Sequence, residues 1–295
     1  MASFHATIPL RWSDLDPQGH VNNVVVLDLA QEARARFMAG GSHPELLLHG
    51  SVVVKQRSEF LRPMMLDGGP VEVELSTTSI GAARFIMSYH MIQGGQLCVR
   101  AATSMCPFDF PNQRVRKLTE GERGALATIS APDEAWPALP PMRLDEHAVE
   151  TAFQPRWSDQ DRYGHVNNVR TLDWLQEARV EATTQMAPQM ARAGMGDDAL
   201  RLPGTWVVVR QDTEYRHQLK WQADPYLMRT GVLRVGASSL TLGCAIIDPD
   251  DHSAHVRART VLVHAGPDGR SEPLPDEIRA QLSAYLPAPA RSDAG

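Results

Sequence analysis

The 295-residue chain has a formal net charge of −6 and 43% hydrophobic residues, enough apolar material for roughly two modest cores. An acidic chain without a lysine or arginine run lacks the patch that tracks a phosphate backbone, so no nucleic-acid partner is expected. Cys98, Cys106 and Cys244 show neither CxxC nor metal spacing, which excludes a disulfide scaffold and reads as reduced thiols. No stretch approaches the ~20 apolar residues that span a bilayer, and the amino terminus lacks the basic and apolar regions of a signal peptide, so a soluble, cytoplasmic protein is expected.

In chain order, residues 4–11 alternate weakly, as an edge strand does, and a polar turn over Ser13 to Gly19 follows. A helix is predicted to start near Asn22 or Asn23, because an asparagine side chain accepts an orphan N–H of the first turn. Its residues are apolar almost all round (Val21, Val24 to Leu27, Leu29, Ala30, Ala33, Phe37), as in a helix enclosed by sheet. Four strands are predicted near 51–61, 70–79, 84–93 and 96–108, punctuated by Asp67-Gly-Gly-Pro, Gly81 and Gly94-Gly95. A Pro-rich linker over residues 131–148 then leads into a second domain.

That second domain repeats the first. Residues 11–34 and 156–179, at an offset of 145, are identical at 17 of 24 positions, and Val52 to Phe60 answers Val207 to Tyr215 at an offset of 155. The ten extra residues fall between Met186 and Gly204, in a helix-to-strand connection where an insertion costs little closure entropy. Val166, Val169, Leu172, Leu175, Ala178 and Ala182 mark one buried face of the second helix. A short capped helix is predicted within Glu272 to Leu282, and the last residues are expected to fray. One strand, a long helix and four antiparallel strands per copy make an α+β unit. The expected organisation is a domain over 1–130, the linker over 131–148 and a second domain over 149–288, paired as an intrachain pseudo-dimer that further homo-oligomerisation would extend.

The duplicated Asp-x-x-Gly-His-Val-Asn-Asn loop gathers reactive groups at a helix start. Free N–H groups and the positive end of the helix dipole lie there, so a carbonyl placed against them becomes a better electrophile. Gly19 and Gly164 would let that carbonyl come close to the backbone. Asp16 and Asp161 supply a carboxylate able to attack directly or to deprotonate water. Asp14 and Asp159 read as turn or cap residues. Glu59 and Glu214 lie in strand-like runs between apolar neighbours, where a charge must be paired or face a cavity; both a catalytic and a structural role are open. No metal or other cofactor is needed for this chemistry.

Arg-Trp-Ser-Asp-x-Asp-x-x-Gly-His-Val-Asn-Asn, followed by Gln-Glu-Ala-Arg, resembles the hotdog-fold acyl thioesterases, in particular the 4-hydroxybenzoyl-CoA thioesterase-like acyl-CoA thioesterases. It is also similar to the plant acyl-ACP thioesterases, themselves double hotdogs. The resemblance implies a double hotdog in which each repeat wraps an antiparallel sheet around a long central helix. The implied activity is hydrolysis of an acyl-CoA, with acyl-ACP as the other carrier, in lipid metabolism. It places catalytic roles on Asp16 and Asp161, on His20 and His165, and on Glu59 and Glu214. Asn23, Val26, Asn168 and Thr171 fall where the substrate is bound. The chain departs from the plant pattern at Gln18 and Tyr163, which stand where those enzymes have Asn, and at Phe60 and Tyr215, which stand in place of a Cys. Val26 and Thr171 replace an aromatic usual in relatives, which predicts acceptance of longer or branched acyl groups. The alternatives are a hotdog that binds an acyl thioester without cleaving it and an enoyl-CoA hydratase or dehydratase on the same fold.

Overall fold

The computed structural model describes residues 3–40, 45–161, 163–191 and 205–288. The first copy runs β1 (Phe4–Ile8), α1 (Asn23–Gly40), α2 (Glu45–Leu48), β2 (Ser51–Phe60), β3 (Val71–Ile80), β4 (Phe85–Gln93), β5 (Gln96–Asp109), β6 (Arg114–Val115) and α3 (Glu120–Ala127). The second runs β7 (Val149–Phe153), α4 (Asn168–Met186), α5 (Pro188–Ala191), β8 (Thr205–Tyr215), β9 (Tyr226–Val235), β10 (Ser239–Ile247), β11 (Ala254–Ala265) and α6 (Asp276–Ser283). The long helices and main strands start and stop within a few residues of the sequence expectations. The last helix starts at Asp276, inside the expected stretch, but Pro275 at its N-cap (φ −54°, ψ 137°) supplies no side-chain capping bond. The last residues, expected to fray, and most of the Met186 to Gly204 insertion lie outside the described residues.

The strands join into one sheet in the order β1-β3-β4-β5-β2-β8-β11-β10-β9-β7, with β6 paired to β5. Its two halves follow the same order outwards from an antiparallel seam between β2 and β8, where Lys55 faces Glu214, Arg57 faces Asp212 and Glu59 faces Arg210. Alternation sorts this seam into two faces. Gln56 and Ser58 are buried, and the Tyr215 hydroxyl donates to Gln56 Oε1 (2.6 Å) and lies 3.1 Å from Asn168 O at the start of α4. The helices therefore cover the face of Gln56 and Ser58, and Arg57, Glu59, Arg210, Asp212 and Glu214 point to the other side.

α1 is apolar nearly all round because two bodies enclose it. Val26, Leu29, Ala30, Ala33 and Met38 pack into the first-half core with Phe85, Met87, Tyr89 and Met91. Val24 and Leu27 instead join the second-half core with Leu172, Trp174 and Leu175 of α4. Each large side chain fully buried this way contributes about 1.5–3 kcal/mol, and α1 supplies such side chains to the cores of both halves.

Between Ser130 and Val149 the chain has no helix or strand, and it crosses the charged face of the sheet. Trp136 lies against the guanidinium groups of Arg57, Arg100 and Arg210, 4.9–5.9 Å from its ring centroid. Glu134 takes Arg100 (3.2 Å) and His90. No helix among the described residues is long and apolar enough to cross a membrane.

Candidate active site

The two duplicated loops fold alike for local reasons. A single 3-10 turn over Trp157–Asp159 is closed by Asp159 Oδ2, which accepts the Arg156 N–H (2.8 Å), and Asp159 O accepts from Asn167 (2.8 Å). Asp14 does the same work in the first copy, accepting from Arg11 (2.7 Å) through its side chain and from Asn22 (2.8 Å) through its carbonyl. These two aspartates are turn residues, as their position before a helix suggests.

The second aspartate of each loop is held by one oxygen. Asp161 Oδ1 accepts the N–H groups of Tyr163 (2.8 Å) and His165 (3.2 Å); Asp16 Oδ1 accepts those of Gln18 (2.8 Å) and His20 (3.1 Å). Among the described residues, no hydrogen bond reaches Oδ2 of either carboxylate. Gly164 (φ 76°) and Gly19 (φ 82°) sit in the left-handed region that closes the loop, and their N–H groups donate back to Asp161 O (3.1 Å) and Asp16 O (3.0 Å). The expected role of these glycines as donors to the substrate therefore competes with bonds that the loop itself uses.

Donors remain one step further on. Asn167 caps α4 by accepting the Val169 N–H (2.9 Å), and Asn168 Nδ2 is buried with no hydrogen-bond partner among the described residues. An unpaired buried donor costs about 1–3 kcal/mol, so an acceptor arriving beside Asn168 is rewarded.

Asp161, Tyr163, His165, Asn168 and Thr171 form one wall of a cavity of ≈ 750 Å³. The opposite wall comes from the first half: Gln31, Arg34 and Met38 of α1, Leu46 and Leu47 of α2, and the chain from Gly50 to Val54 entering β2. Phe110, just beyond β5, stacks on Tyr163 with ring centroids 3.7 Å apart and planes 3° apart, and lies 6.3 Å from His165. Gly50 (φ 79°) makes this approach possible, since a Cβ there would fall 2.6 Å from the Phe110 ring and 2.8 Å from the Tyr163 hydroxyl. Gly50→Ala is expected to cost about 1–3 kcal/mol in strain and overpacking. Thermal unfolding and KM report it, and an unchanged melting temperature with an unchanged KM would show that the contact is dispensable.

Burial holds the His165 pKa below its ordinary 6.5, helped by Lys220 and opposed by Asp161. The neutral imidazole is therefore favoured in the folded state. Protons bind more tightly to the unfolded chain, so this residue's contribution to stability is complete at neutral pH and falls as pH drops below about 6.5. The acid limb of activity that depends on His165 is expected below pH 6.5 and absent in His165→Asn; a limb unchanged in that variant would assign it elsewhere.

The structure does not bring every expected site residue to this cavity. Glu59 and Glu214 lie on the opposite face of the sheet. Glu59 is held by Arg100 (2.7 Å) and Arg210 (3.4 Å), and Glu214 by Lys55 (2.8 Å) and Arg259 (3.7 Å). The Lys55 hydrogen bond, with the charges of Lys55 and Arg259, draws the Glu214 pKa down against the opposing effect of burial. Val26 is buried in the first-half core, while its repeat counterpart Thr171 lines the cavity. Asp16, His20, Gly19 and Asn23 belong to the other loop. Residues 192–204 lie outside the described residues. Arg34, Gly50 and Phe110 were not among the expected site residues; only the duplicated Gln-Glu-Ala-Arg pointed to the first of them.

The sequence profile of the thioesterase-like superfamily matches residues 10–140 and again 155–282. The chain belongs to the thioesterase-like superfamily. Solved structures agree with a hotdog fold carried twice. A protein described as an oleoyl thioesterase from Lactobacillus plantarum superposes with a TM-score of 0.70 at 15% identity, over 89% of this chain and 96% of that one. The 12:0-ACP thioesterase from Umbellularia californica gives 0.69 at 18% identity over 89% and 94%. An acyl-ACP thioesterase from Bacteroides thetaiotaomicron gives 0.57 at 12% identity over 88% and 97%. At these identities the likeness is one of fold. No curated protein matches the chain significantly.

Proposed function

We propose that this thioesterase-like chain hydrolyses acyl-CoA thioesters to free acid and CoA, with Asp161 as the reacting carboxylate. The single observation behind this reading is that Asp161, His165 and Asn168 converge on one cavity built by both halves. Asp161 Oδ1 is anchored by two N–H groups, which fixes the carboxylate and leaves Oδ2 to take a proton from water. The water oxygen adds to the thioester carbon, and the developing oxyanion takes the unpaired Asn168 donors. Losing one such donor typically costs about 2.7–4 kcal/mol of barrier. The tetrahedral intermediate expels a thiolate, which receives the proton from Asp161; a thiol of pKa near 8.5 leaves with little further help.

In this reading each half is a sheet wrapped around its long helix, the domains run over 1–130 and 149–288, and the strap over 131–148 fixes their pairing. Glu59 and Glu214 act as structural ions of the seam, each already paired to two cations. Arg57, Arg100 and Arg116, cations that could by charge alone meet the CoA phosphates, are already engaged with Asp212, Glu59 and Glu122. Three free, buried cysteines suit a reducing, cytoplasmic setting. The test is thiol release across acyl-CoA chain lengths, with acyl-ACP in parallel, by wild type, Asp16→Asn, Asp161→Asn and the double variant. A double variant as fast as wild type would remove the carboxylates from the mechanism. Thr171→Tyr should shift the preference to shorter acyl groups, and an unchanged length profile would take Thr171 out of the acyl pocket.

A further inference from the structure

Arg34 is 6% exposed and lines the cavity. Its Nη1 donates to the Tyr89 hydroxyl oxygen (2.9 Å), and among the described residues its Nε and Nη2 meet no acceptor and no carboxylate lies within ion-pair distance. Tyr89 is fully buried, and because its oxygen accepts from Arg34, its own proton is left without an acceptor among the described residues. The cavity wall combines apolar side chains such as Met38, Leu46, Val52 and Met105 with the polar Gln31 and Arg216. A buried charge is normally paired, because removing it from water without a counter-ion is strongly unfavourable. Every other buried guanidinium described above has such a partner, as Arg210 has in Asp212 (2.9 Å).

The repeat points the same way. Arg179 stands where α4 repeats Gln-Glu-Ala-Arg, is half-buried, and its guanidinium also has no hydrogen-bond or acidic partner among the described residues. Between the two loops and these arginines the helix sequences diverge (Val26 and Thr171, Leu29 and Trp174, Ala30 and Leu175), while the cation stands in both.

We infer that the acyl group taken by this cavity carries a second carboxylate, and that Arg34, held in place by Tyr89, receives it. The preferred substrates are thus half-thioesters of dicarboxylic acids. The inference rests on the acyl-thioester reading of the same cavity. A planar guanidinium with free N–H groups matches a carboxylate in geometry and charge, and Tyr89, buried behind the cavity wall, fixes its orientation through the Nη1 bond.

The full-length protein is assayed for kcat/KM on a medium-length saturated acyl-CoA and on the ω-carboxyl acyl-CoA of equal length. The same pair is then assayed as N-acetylcysteamine thioesters, which carry no phosphate. Wild type is expected to favour the ω-carboxyl substrate by about 10- to 100-fold in both series, the range of a charged hydrogen-bonded contact. Arg34→Met is expected to collapse that ratio, Arg34→Lys to keep part of it, and Tyr89→Phe to lower it while the protein stays folded. A wild-type preference for the plain acyl group, or a ratio untouched by Arg34→Met and Tyr89→Phe, overturns the inference. Arg34→Met lowering both CoA substrates equally and neither N-acetylcysteamine thioester assigns Arg34 to phosphate and also overturns it. Calorimetry with non-hydrolysable thioether analogues separates the two readings. Preferential binding of the ω-carboxyl analogue without turnover of any thioester sinks hydrolysis and keeps the carboxylate pocket.

Discussion

Asp161→Asn is expected to lower kcat by about 10²–10⁴-fold, the usual worth of a positioned base, while Asp16→Asn lowers it far less. The two loops are chemically duplicate but their surroundings are not. Tyr163 stacks on Phe110 beside Asp161, whereas the first loop has Gln18, and the repeat position of Phe110 is Pro267, by the same offset that pairs Val99 with Val256. The stacked pair beside Asp161 thus has non-aromatic residues, Gln18 and Pro267, at both of its repeat positions. The asparagine variant keeps Oδ1 as an acceptor for the Tyr163 and His165 N–H groups, so the loop stays folded and the change reports proton transfer. Equal losses from the two single variants would show that both sites turn over alike, and that the stacked pair is irrelevant to rate.

Arg210→Met is expected to destabilise the protein by about 3–5 kcal/mol, the cost of leaving a buried charge without its partner. Arg210 and Asp212 are 7% and 4% exposed, joined by bonds of 2.9 and 3.1 Å, and Arg210 also reaches Glu59 (3.4 Å) across the seam. Its substitution strands Asp212 beside Arg57 alone (3.9 Å) and removes one face of the Trp136 contact. The double variant Arg210→Met with Asp212→Leu is expected to recover much of the loss, because no charge is left stranded. Denaturant unfolding measures both. A single variant within about 0.5 kcal/mol of wild type, the range of an ordinary surface change, would mean that water reaches this seam.

Much of the fold was legible in the chain because its signals are local. Asp67-Gly-Gly-Pro, Gly81 and Gly94-Gly95 bracket the strands from outside, and Asn22 and Asn167 start the long helices by the caps they form. The repeat predicted two equal units, and the strand order on either side of the β2–β8 seam follows it. Short elements such as α2 and β6 were missed because they owe their form to tertiary contacts. α3 carries a readable signal, the capping box of Thr119 with Glu122, hidden by the small, polar residues around it.

The candidate site was legible only on the wall that the duplicated loop provides. Its partner wall is assembled from Arg34, Gly50 and Phe110, 127 to 51 positions before Asp161 in the chain, and nothing in a linear pattern joins them. The paired or catalytic state of Glu59 and Glu214 turns on cations from neighbouring strands, which sequence spacing cannot place. The helix periodicity that marked α1 as enclosed by apolar surroundings also hid Arg34, since a cation on such a helix, like its neighbour Arg36, reads as a solvated edge until a cavity is found beneath it.

The most direct measurement is multiple-turnover thiol release by the purified chain on acyl-CoA, with the free acid quantified alongside. The account predicts many thiols released per protein molecule, one acid for each thiol, and a rate that collapses in Asp161→Asn. Tight binding of the thioester with no thiol released would contradict it and leave this cavity a receptor for acyl groups, not a site of their hydrolysis.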